Sequence, residues 1–229
     1  MGERGWLIRW KWGLTSALAL LLGQAHAAAL PELSVDQQHI LQTTGEEKPY
    51  DVRRHFLRSN ERRHDLFFSA LGRLGGGYLG VGADQNYTLA AVAQAELIFL
   101  VDIDAEVIRW HKIYAALIPL AESSQALGKL FHPRAQATVR HTLESRWGSE
   151  SVELWQSYRA YRGMISAHLG RERQISRNGR AATWLSDPVL YGRIRELMIA
   201  RRVIARVGDL HGERTLLGIG QAARSLQVT

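Results

Sequence analysis

The feature that most constrains the fold is a glycine-rich turn placed between two short apolar segments. The glycine-rich stretch runs from Gly75 to Asn86 and has the sequence GGGYLGVGADQN. It is followed by a continuous apolar run at 97–101 that leads into Asp102. Glycine lacks a Cβ, so the backbone there can turn sharply and approach a ligand closely. An uninterrupted apolar run predicts a strand buried on both faces of a parallel sheet.

Strands and helices alternate along the chain. The pattern predicts strands at 78–82, 97–101 and 202–210, and helices at 84–95, 105–121, 151–169, 187–200 and 213–226. Such alternation favours βαβ units. We therefore predict an α/β protein with a Rossmann-like three-layer domain at 75–229, whose mostly parallel sheet is either small or curtailed at the C-terminus. Val228 and Thr229 would begin a further strand.

The N-terminal residues 1–27 have the three regions of an export signal. Basic residues precede an apolar run at 14–22, and small residues follow at Ala25 and Ala27. We expect an exported protein, periplasmic or secreted. Tryptophans at 6, 10 and 12 suit a membrane interface, so an uncleaved membrane anchor is the alternative, with membrane contact limited to this segment.

Two further regions flank or interrupt the predicted domain. Residues 28–74 form a helical lead-in, with a helix at 33–42, a polar link at 45–50 and a helix pair at 52–74. Residues 132–187 form an excursion with nine arginines, no lysine and five acidic residues, and a loop is expected at 170–180. Arginines balanced by glutamates indicate a solvated surface more than a site for an acidic partner, so we do not expect nucleic acid as a ligand.

Composition excludes several classes of chemistry. The chain has no cysteine, which rules out disulfides, thiolate metal sites and a cysteine nucleophile. It also lacks a nucleophile elbow, an H-E-x-x-H helix and a Walker A loop, and we expect no metal. A net charge of +7 is moderate.

One set of residues combines the glycine turn with positions before and after it: 59–61, 78–86, 101–103, His111, Tyr114, Ala116, Leu117, 208–212 and 216–220. At these positions the chain resembles a group of bacterial proteins of unknown function whose fold is similar to that of S-adenosylmethionine (SAM)-dependent methyltransferases. The resemblance implies a nucleoside ligand, with SAM as the cofactor. The chain departs from that group at Asp104-Ala105, where basic residues are usual, and in ending without further strands.

The glycine turn supplies the first candidate ligand residues, which are Gly80, Gly82, Asp84, Gln85 and Asn86. Asp84 at the helix N-terminus would cap the helix but repel a phosphate. This disfavours NAD and FAD and suits SAM, which has no phosphate. The alternative is that the glycines only form a tight turn, and that Gln85 and Asn86 are solvated.

Carboxylates follow two of the predicted strands. Asp102 is the favoured ligand for a ribose diol, with Asp104 as the alternate, although Asp104 also suits a helix cap. Asp209 ends the third strand beside His211 and is a candidate catalytic residue. His111 is the other candidate catalytic residue. Because it lies on the apolar stripe of its helix, a buried structural role is the stronger interpretation of this histidine.

These observations support two hypotheses for function. One is a nucleoside- or SAM-binding protein, with SAM-dependent methyl transfer to an unknown acceptor as its reaction. The other is an exported, non-catalytic binding or envelope protein that keeps the fold without the cofactor. Export conflicts with the first hypothesis, because SAM is kept in the cytoplasm.

Overall fold

A computed structural model describes residues 30–59 and 61–228 of the chain. The predicted export signal at 1–27 therefore lies outside the described residues, as does Thr229. Within the described part, no helix is both long and apolar enough to span a membrane.

The protein has a small parallel sheet surrounded by helices. The strands are, in chain order, β1 (Gly77–Val81), β2 (Leu97–Asp102), β3 (Ser176–Arg177), β4 (Arg180–Ala181) and β5 (Val203–Val207). The helices are α1 (Val35–Gln42), α2 (Phe68–Leu71), α3 (Gln85–Val92), α4 (Ala105–Leu117), α5 (Ser124–Lys129), α6 (Gln136–Trp147), α7 (Ser151–Glu172), α8 (Pro188–Ile199) and α9 (Thr215–Ser225). The predicted α/β class is confirmed.

Three of the strands form the sheet in the order β1-β2-β5, and both pairings are parallel. The central strand β2 is buried on both faces along Leu97–Val101, as its apolar run predicts. Its last residue, Asp102, still pairs with Val207 of β5. The carboxyl ends of all three strands consequently lie at one edge of the sheet.

Helices cover both faces of the sheet. On one face, Ile98 and Leu100 belong to a large core that includes Tyr87 of α3, Trp110 of α4 and Ile194 of α8. On the other face, a smaller core joins Leu97, Phe99, Val101 and Ile204 to α1 and α9. The alternation of side chains along β2 thus assigns the two faces to two separate cores.

The excursion packs against the large core. Val139 and Leu143 of α6 and Leu154, Tyr158, Ile165 and Leu169 of α7 all belong to this core. The predicted loop at 170–180 is wrong in two respects, because α7 continues to Glu172 and the short strands β3 and β4 pair as an antiparallel hairpin.

The helix pair predicted at 52–74 is also wrong. Among the described residues of this stretch, only a 3₁₀ turn (His64–Phe67) and the single turn α2 are helical. Leu57 is buried in the large core, whereas Phe56 and Phe67 are exposed. The apolar residues therefore form no continuous stripe, and the described residues of 52–63 are neither helical nor extended into a strand.

Helix ends elsewhere follow the sequence signals. The α-helix α4 stops at Leu117, short of the predicted 121, because Pro119 cannot continue it and a short 3₁₀ turn follows. Asp187 caps α8 by accepting from the backbone N–H groups of Val189 and Leu190, with Pro188 at the first helical position. No strand is assigned at Val228.

Candidate functional site

The glycine turn joins β1 to α3 at the carboxyl edge of the sheet. Gly82 has φ +91°, which a residue with a Cβ rarely adopts. Its N–H donates to the carbonyl of Val101 at 3.2 Å, so the turn is tied to the end of β2. The turn and Asp102 are thereby neighbours at one edge.

Gly80 is required for a different reason, which is close packing. A Cβ at this position would collide with the side-chain amide of Asn86 and with the ring of Tyr78. Asn86 is buried, donates to the carbonyls of Val81 (3.0 Å) and Ala83 (2.9 Å), and accepts from the Tyr78 hydroxyl (2.8 Å). The expectation of a solvated Asn86 is therefore wrong, because its amide holds the turn from inside.

Gln85 lies on the outer side of the same turn. Its side-chain amide donates to the carbonyl of Val81 at 3.2 Å. Its Oε1 is buried without a hydrogen-bond partner among the described residues. Of the two amides, Gln85 is the one that retains an unused polar atom.

Asp84 is buried, and its carboxylate does not cap α3. It pairs instead with Nε2 of His168 on α7, at 2.9 and 3.1 Å, and accepts from the indole N–H of Trp184 at 3.2 Å. The predicted capping role is thus wrong. The carboxylate connects the turn to the excursion.

The two partners shift each other's pKa. Burial opposes ionisation of Asp84, but the charge and hydrogen bond of His168 and the hydrogen bond from Trp184 act in the opposite direction, and the pKa of the carboxyl is lowered overall. Burial alone would likewise lower the pKa of His168, and the Asp84 carboxylate raises it overall. Both shifts favour the ionised form of the pair, in which the charge of each group compensates the other.

His111 is a buried structural residue. Its Nε2 faces the carbonyl of Gly82 at 2.8 Å, and its Nδ1 faces the hydroxyl of Tyr87 at 2.7 Å. A carbonyl can only accept, so Nε2 has the proton and the Tyr87 hydroxyl donates to Nδ1. Burial lowers the pKa of His111 to about 4. Both ring nitrogens are occupied, which agrees with the structural interpretation over that of a general base.

The two carboxylates after β2 have different roles. Asp104 is buried, accepts from the backbone N–H of Glu106 at 2.8 Å as the cap of α4, and pairs with Nδ1 of His55 at 2.9 Å. Asp102 is half-buried, and its Oδ1 accepts from the backbone N–H of Asp104 at 2.8 Å. Burial, together with the nearby charge of Asp104, raises the pKa of Asp102. Of the two carboxylates, Asp102 makes fewer hydrogen bonds within the protein.

Asp209 lies after β5 at the same edge. It accepts from the backbone N–H of His211 at 2.9 Å and from the hydroxyl of Tyr50 at 2.7 Å, and both bonds lower its pKa. The ring of His211 is exposed, with its Nδ1 at 3.5 Å from Asp209. The predicted Asp209–His211 neighbourhood is present, and Tyr50 adds a partner that the sequence did not indicate.

The irregular lead-in covers part of this edge. The N–H of Tyr50 donates to the carbonyl of Ile103 at 3.2 Å, and the N–H of Glu47 donates to that of Val207 at 3.2 Å. Together with the pair between His55 and Asp104, these bonds place 47–55 across the ends of β2 and β5.

Sequence reasoning missed the partners from distant segments, which are Glu47, Tyr50, His55, His168 and Trp184. Each lies far along the chain from the residue it contacts. The single available signal was the position of His168 on the predicted helix at 151–169, and that position does not identify its partner.

Two large cavities occur among the described residues. One, of about 720 Å³, is lined by residues of α1, α4, the end of α6 and β5, including Arg146, Arg206 and His111, whose Nε2 donates to the carbonyl of Gly82. The other, of about 800 Å³, lies between α5 and α7. Neither is lined by Asp102 or by the glycines of the turn. In the part of the chain that the structure covers, no group of three or more His, Cys, Asp or Glu is placed to bind a metal.

The fold and the polar edge define an α/β domain with a glycine turn and three strand-end carboxylates. The chain belongs to a family described as "Domain of unknown function (DUF7790)", whose model matches residues 56–229. This match supports the predicted membership of an uncharacterised family. A search of curated proteins finds no match to the chain.

Proposed function

We propose that this protein binds a nucleoside, with SAM as the favoured ligand, at the carboxyl edge of its parallel sheet. The observation that supports the proposal is the junction between Gly82 and β2. Gly82, which has a left-handed φ, is hydrogen-bonded to Val101, and the next residue after Val101 is Asp102, whose carboxylate is half-buried. In Rossmann-like folds, ligands lie in this position, at the strand ends beside the first glycine turn.

The strand order favours the same interpretation. The order β1-β2-β5, with parallel pairing, corresponds to one βαβαβ half of a doubly wound sheet. In such a half, an acidic residue at the end of the second strand is the usual partner of a ribose diol. Asp102 occupies that position and is the residue we assign to the sugar.

The arrangement narrows the set of ligand residues. Asp84, Asn86 and Asp104 are buried and bonded within the protein, so in this proposal they shape the site and do not contact the ligand. Gly80 and Gly82 form the floor, and Gln85 and Asp102 offer polar groups. Bound SAM would supply an activated methyl group, and the protein would act chiefly by positioning it.

Asp209 is the remaining catalytic candidate under this proposal. Its carboxylate lies at the same edge, and its lowered pKa keeps it ionised at neutral pH. In that state it accepts hydrogen bonds and can orient an acceptor hydroxyl or amine. His111 has no such role, since both of its nitrogens are bonded in the core.

A second function is favoured by the position of the lead-in. Residues 47–55 bond to the ends of β2 and β5 and occupy part of the edge where a ligand would enter. An exported, non-catalytic binding or envelope protein would keep this fold while its own chain closes the edge. Fractionation of the native host distinguishes the two proposed functions. An extracytoplasmic protein processed near residue 28 would favour this second function, and an unprocessed cytoplasmic protein would favour the first.

Titration calorimetry with SAM and with S-adenosylhomocysteine tests the first function. We expect the wild type to bind at least one of them, and Asp102→Asn to weaken binding by about tenfold through loss of a charged hydrogen-bond acceptor. Asp36→Asn, which changes an exposed carboxylate in α1, is the matched control and should leave affinity unchanged. Absence of heat and of a thermal shift at millimolar ligand would refute the nucleoside proposal.

A further inference from the structure

The cavity between α5 and α7 has an unusual charge distribution. Its lining includes Lys129, His132, Arg134, Arg162 and Arg173, and it includes no aspartate or glutamate. Lys129, His132 and Arg134 are exposed, while Arg162 and Arg173 are half-buried. Four permanent cations and an imidazole therefore share one open cavity of about 800 Å³.

Carboxylates do not neutralise these cations. Among the ion pairs of the described residues, none includes Lys129, Arg134, Arg162 or Arg173. Other arginines near the excursion are paired, such as Arg140 with Glu144 and Arg109 with Glu153. The solvated, balanced surface expected from the sequence holds for those residues and does not hold for this cavity.

The wall of the cavity is fixed by hydrogen bonds. The Tyr158 hydroxyl donates to the carbonyl of Leu130 at 2.6 Å, and Arg162 donates to the carbonyl of Phe131 at 3.4 Å. These bonds attach the end of α5 to α7 and use two carbonyl oxygens that would otherwise repel an anion. The cationic side chains therefore extend from backbone segments that hydrogen bonds hold in place.

Arg173 retains unused hydrogen-bonding capacity. Its Nε is buried without a hydrogen-bond partner among the described residues. Its guanidinium packs beside Gly128, where an added Cβ would lie 3.3 Å from Nη1. The glycine makes room for the guanidinium at the cavity wall. A planar guanidinium matches the oxygen atoms of a phosphate group, and contact with a ligand in the cavity would use its Nη groups, because Nε is buried.

We infer that this cavity binds a phosphate group, either of a small soluble phosphate compound or of a phospholipid headgroup. Both ligands present the same chemistry, a multiply oxygenated anion that Arg and Lys can contact from several sides. Nucleic acid is less well suited, because the aromatic residue in the lining, Phe131, is buried and offers no face for base stacking. The inference is independent of the nucleoside site at the sheet edge.

The test compares two variants of the full-length chain that each remove two positive charges. Lys129→Gln/Arg134→Gln changes exposed cavity residues, and Arg53→Gln/Arg224→Gln changes exposed residues outside the lining. The probes are inorganic pyrophosphate, measured by calorimetry, and vesicles with or without phosphatidylglycerol, measured by co-sedimentation. Thermal melts confirm that each variant is folded.

We expect the wild type to bind pyrophosphate, phosphatidylglycerol vesicles or both, and the cavity variant to bind about tenfold more weakly. The control variant should stay within about twofold of the wild type, since net charge alone has a small effect at physiological salt. Pyrophosphate binding without vesicle binding assigns a soluble phosphate, and the converse assigns a headgroup.

Three results would overturn the inference. The first is no binding of either probe at millimolar pyrophosphate or millimolar lipid. The second is equal weakening in the two variants, which would indicate non-specific attraction by net charge. The third is tighter binding of a short single-stranded oligonucleotide than of pyrophosphate, lost in the cavity variant, which would assign the cavity to nucleic acid.

Discussion

Gly80 shows how a single missing Cβ positions the polar groups of the turn. Ala at this position would place a methyl group against the Asn86 amide and the Tyr78 ring. We predict that Gly80→Ala lowers the free energy of unfolding by about 2 kcal/mol, through overpacking and loss of the bonds that Asn86 makes. Urea unfolding followed by circular dichroism measures the change.

Gly163 provides the matched control for Gly80. It lies on the exposed side of α7, where an added Cβ meets no atom within 4 Å. Gly163→Ala should raise the free energy of unfolding by up to about 1 kcal/mol, because Ala has the higher helix propensity. Equal effects of the two substitutions would show that packing at Gly80 is not the reason for its glycine.

The Asp84–His168 pair is expected to be strongly coupled. Removing one partner leaves a buried, uncompensated charge, so Asp84→Asn and His168→Gln should each cost about 3 kcal/mol. The double variant should cost clearly less than the sum. Urea unfolding of the four proteins gives the coupling energy, and additivity within about 0.5 kcal/mol would contradict it.

The same pair sets a pH window for stability. The lowered pKa of Asp84 contributes stability that is present above its unfolded value and is lost as pH falls through the folded value. The raised pKa of His168 contributes stability that is full below its unfolded value of 6.5 and is lost as pH rises through the folded value. The contribution of the pair is therefore greatest between these limits.

His111 should make the protein sensitive to acid. Its folded pKa of about 4 lies below the ordinary value of 6.5, so the unfolded chain binds the proton more readily between these values. Stability is full above pH 6.5 and falls progressively toward pH 4. We predict a loss of about 2 kcal/mol from this residue between pH 7 and pH 5.

Comparison with His111→Gln isolates this effect. Glutamine keeps an amide donor for the carbonyl of Gly82 but does not titrate. Urea unfolding of both proteins at pH 7 and pH 5 should show a smaller acid-induced loss in the variant by about 2 kcal/mol. The same loss in both proteins would mean that other groups, such as Asp84, account for the acid sensitivity.

Sequence reasoning at the residue scale succeeds where a side chain acts on its own neighbours. The cap made by Asp104 and the buried interpretation of His111 follow from local pattern, and the structure agrees with both. The role of Asp84 does not follow, because its partner His168 is 84 positions away. Local propensity predicts that Asp84 caps α3, but its carboxylate forms a tertiary ion pair with His168 instead.

At the scale of elements, α9 begins with a cap supplied by a distant residue. The residue before the helix, Arg214, makes no side-chain cap, and the carboxylate of Glu47 accepts from the backbone N–H groups of Arg214 (2.8 Å) and Thr215 (2.9 Å). The Thr215 hydroxyl also contacts this carboxylate. A negative charge at a helix N-terminus is favourable, so the lead-in stabilises the last helix.

We predict that Glu47→Ala lowers the free energy of unfolding by about 1 kcal/mol, as for loss of a helix cap. Glu47→Gln keeps an acceptor without the charge and should fall between Glu47→Ala and wild type. Glu32→Ala, at an exposed carboxylate before α1, is the control. A loss with Glu47→Ala no larger than with Glu32→Ala would contradict the assignment of Glu47 as the cap.

How accurately an element can be predicted from the sequence depends on the strength of its apolar periodicity. The three sheet strands and the helices α3, α4, α7, α8 and α9 are predicted to within a few residues, since their apolar patterns are long, whereas the 12-residue helix α6 (Gln136–Trp147) is not predicted. The helix pair at 52–74 fails because the burial of Leu57 and the bond from His55 to Asp104 fix an irregular path. Those contacts are non-local and have no signature in the segment itself.

At the scale of the whole molecule, the sheet leaves one edge of β1 unpaired among the described strands. Leu79 and Val81 of this strand are exposed at 48% and 46%, on the face that α1 and α9 cover only over β2 and β5. The large core extends from this sheet through α4 into the excursion.

This continuity predicts that the sheet and the excursion unfold together. Ile165 of α7 is fully buried in the large core, and Ile165→Ala should cost about 3 kcal/mol and lower the melting temperature by roughly 10 °C. Val152→Ala, at a 62% exposed position on the same helix, is the matched control and should have little effect. In every variant, circular dichroism and tryptophan fluorescence should follow one coincident transition, because the same core connects both regions. Separate transitions in Ile165→Ala, with the sheet melting at the wild-type temperature, would show that the excursion is an independent unit and that the small sheet is stable without it.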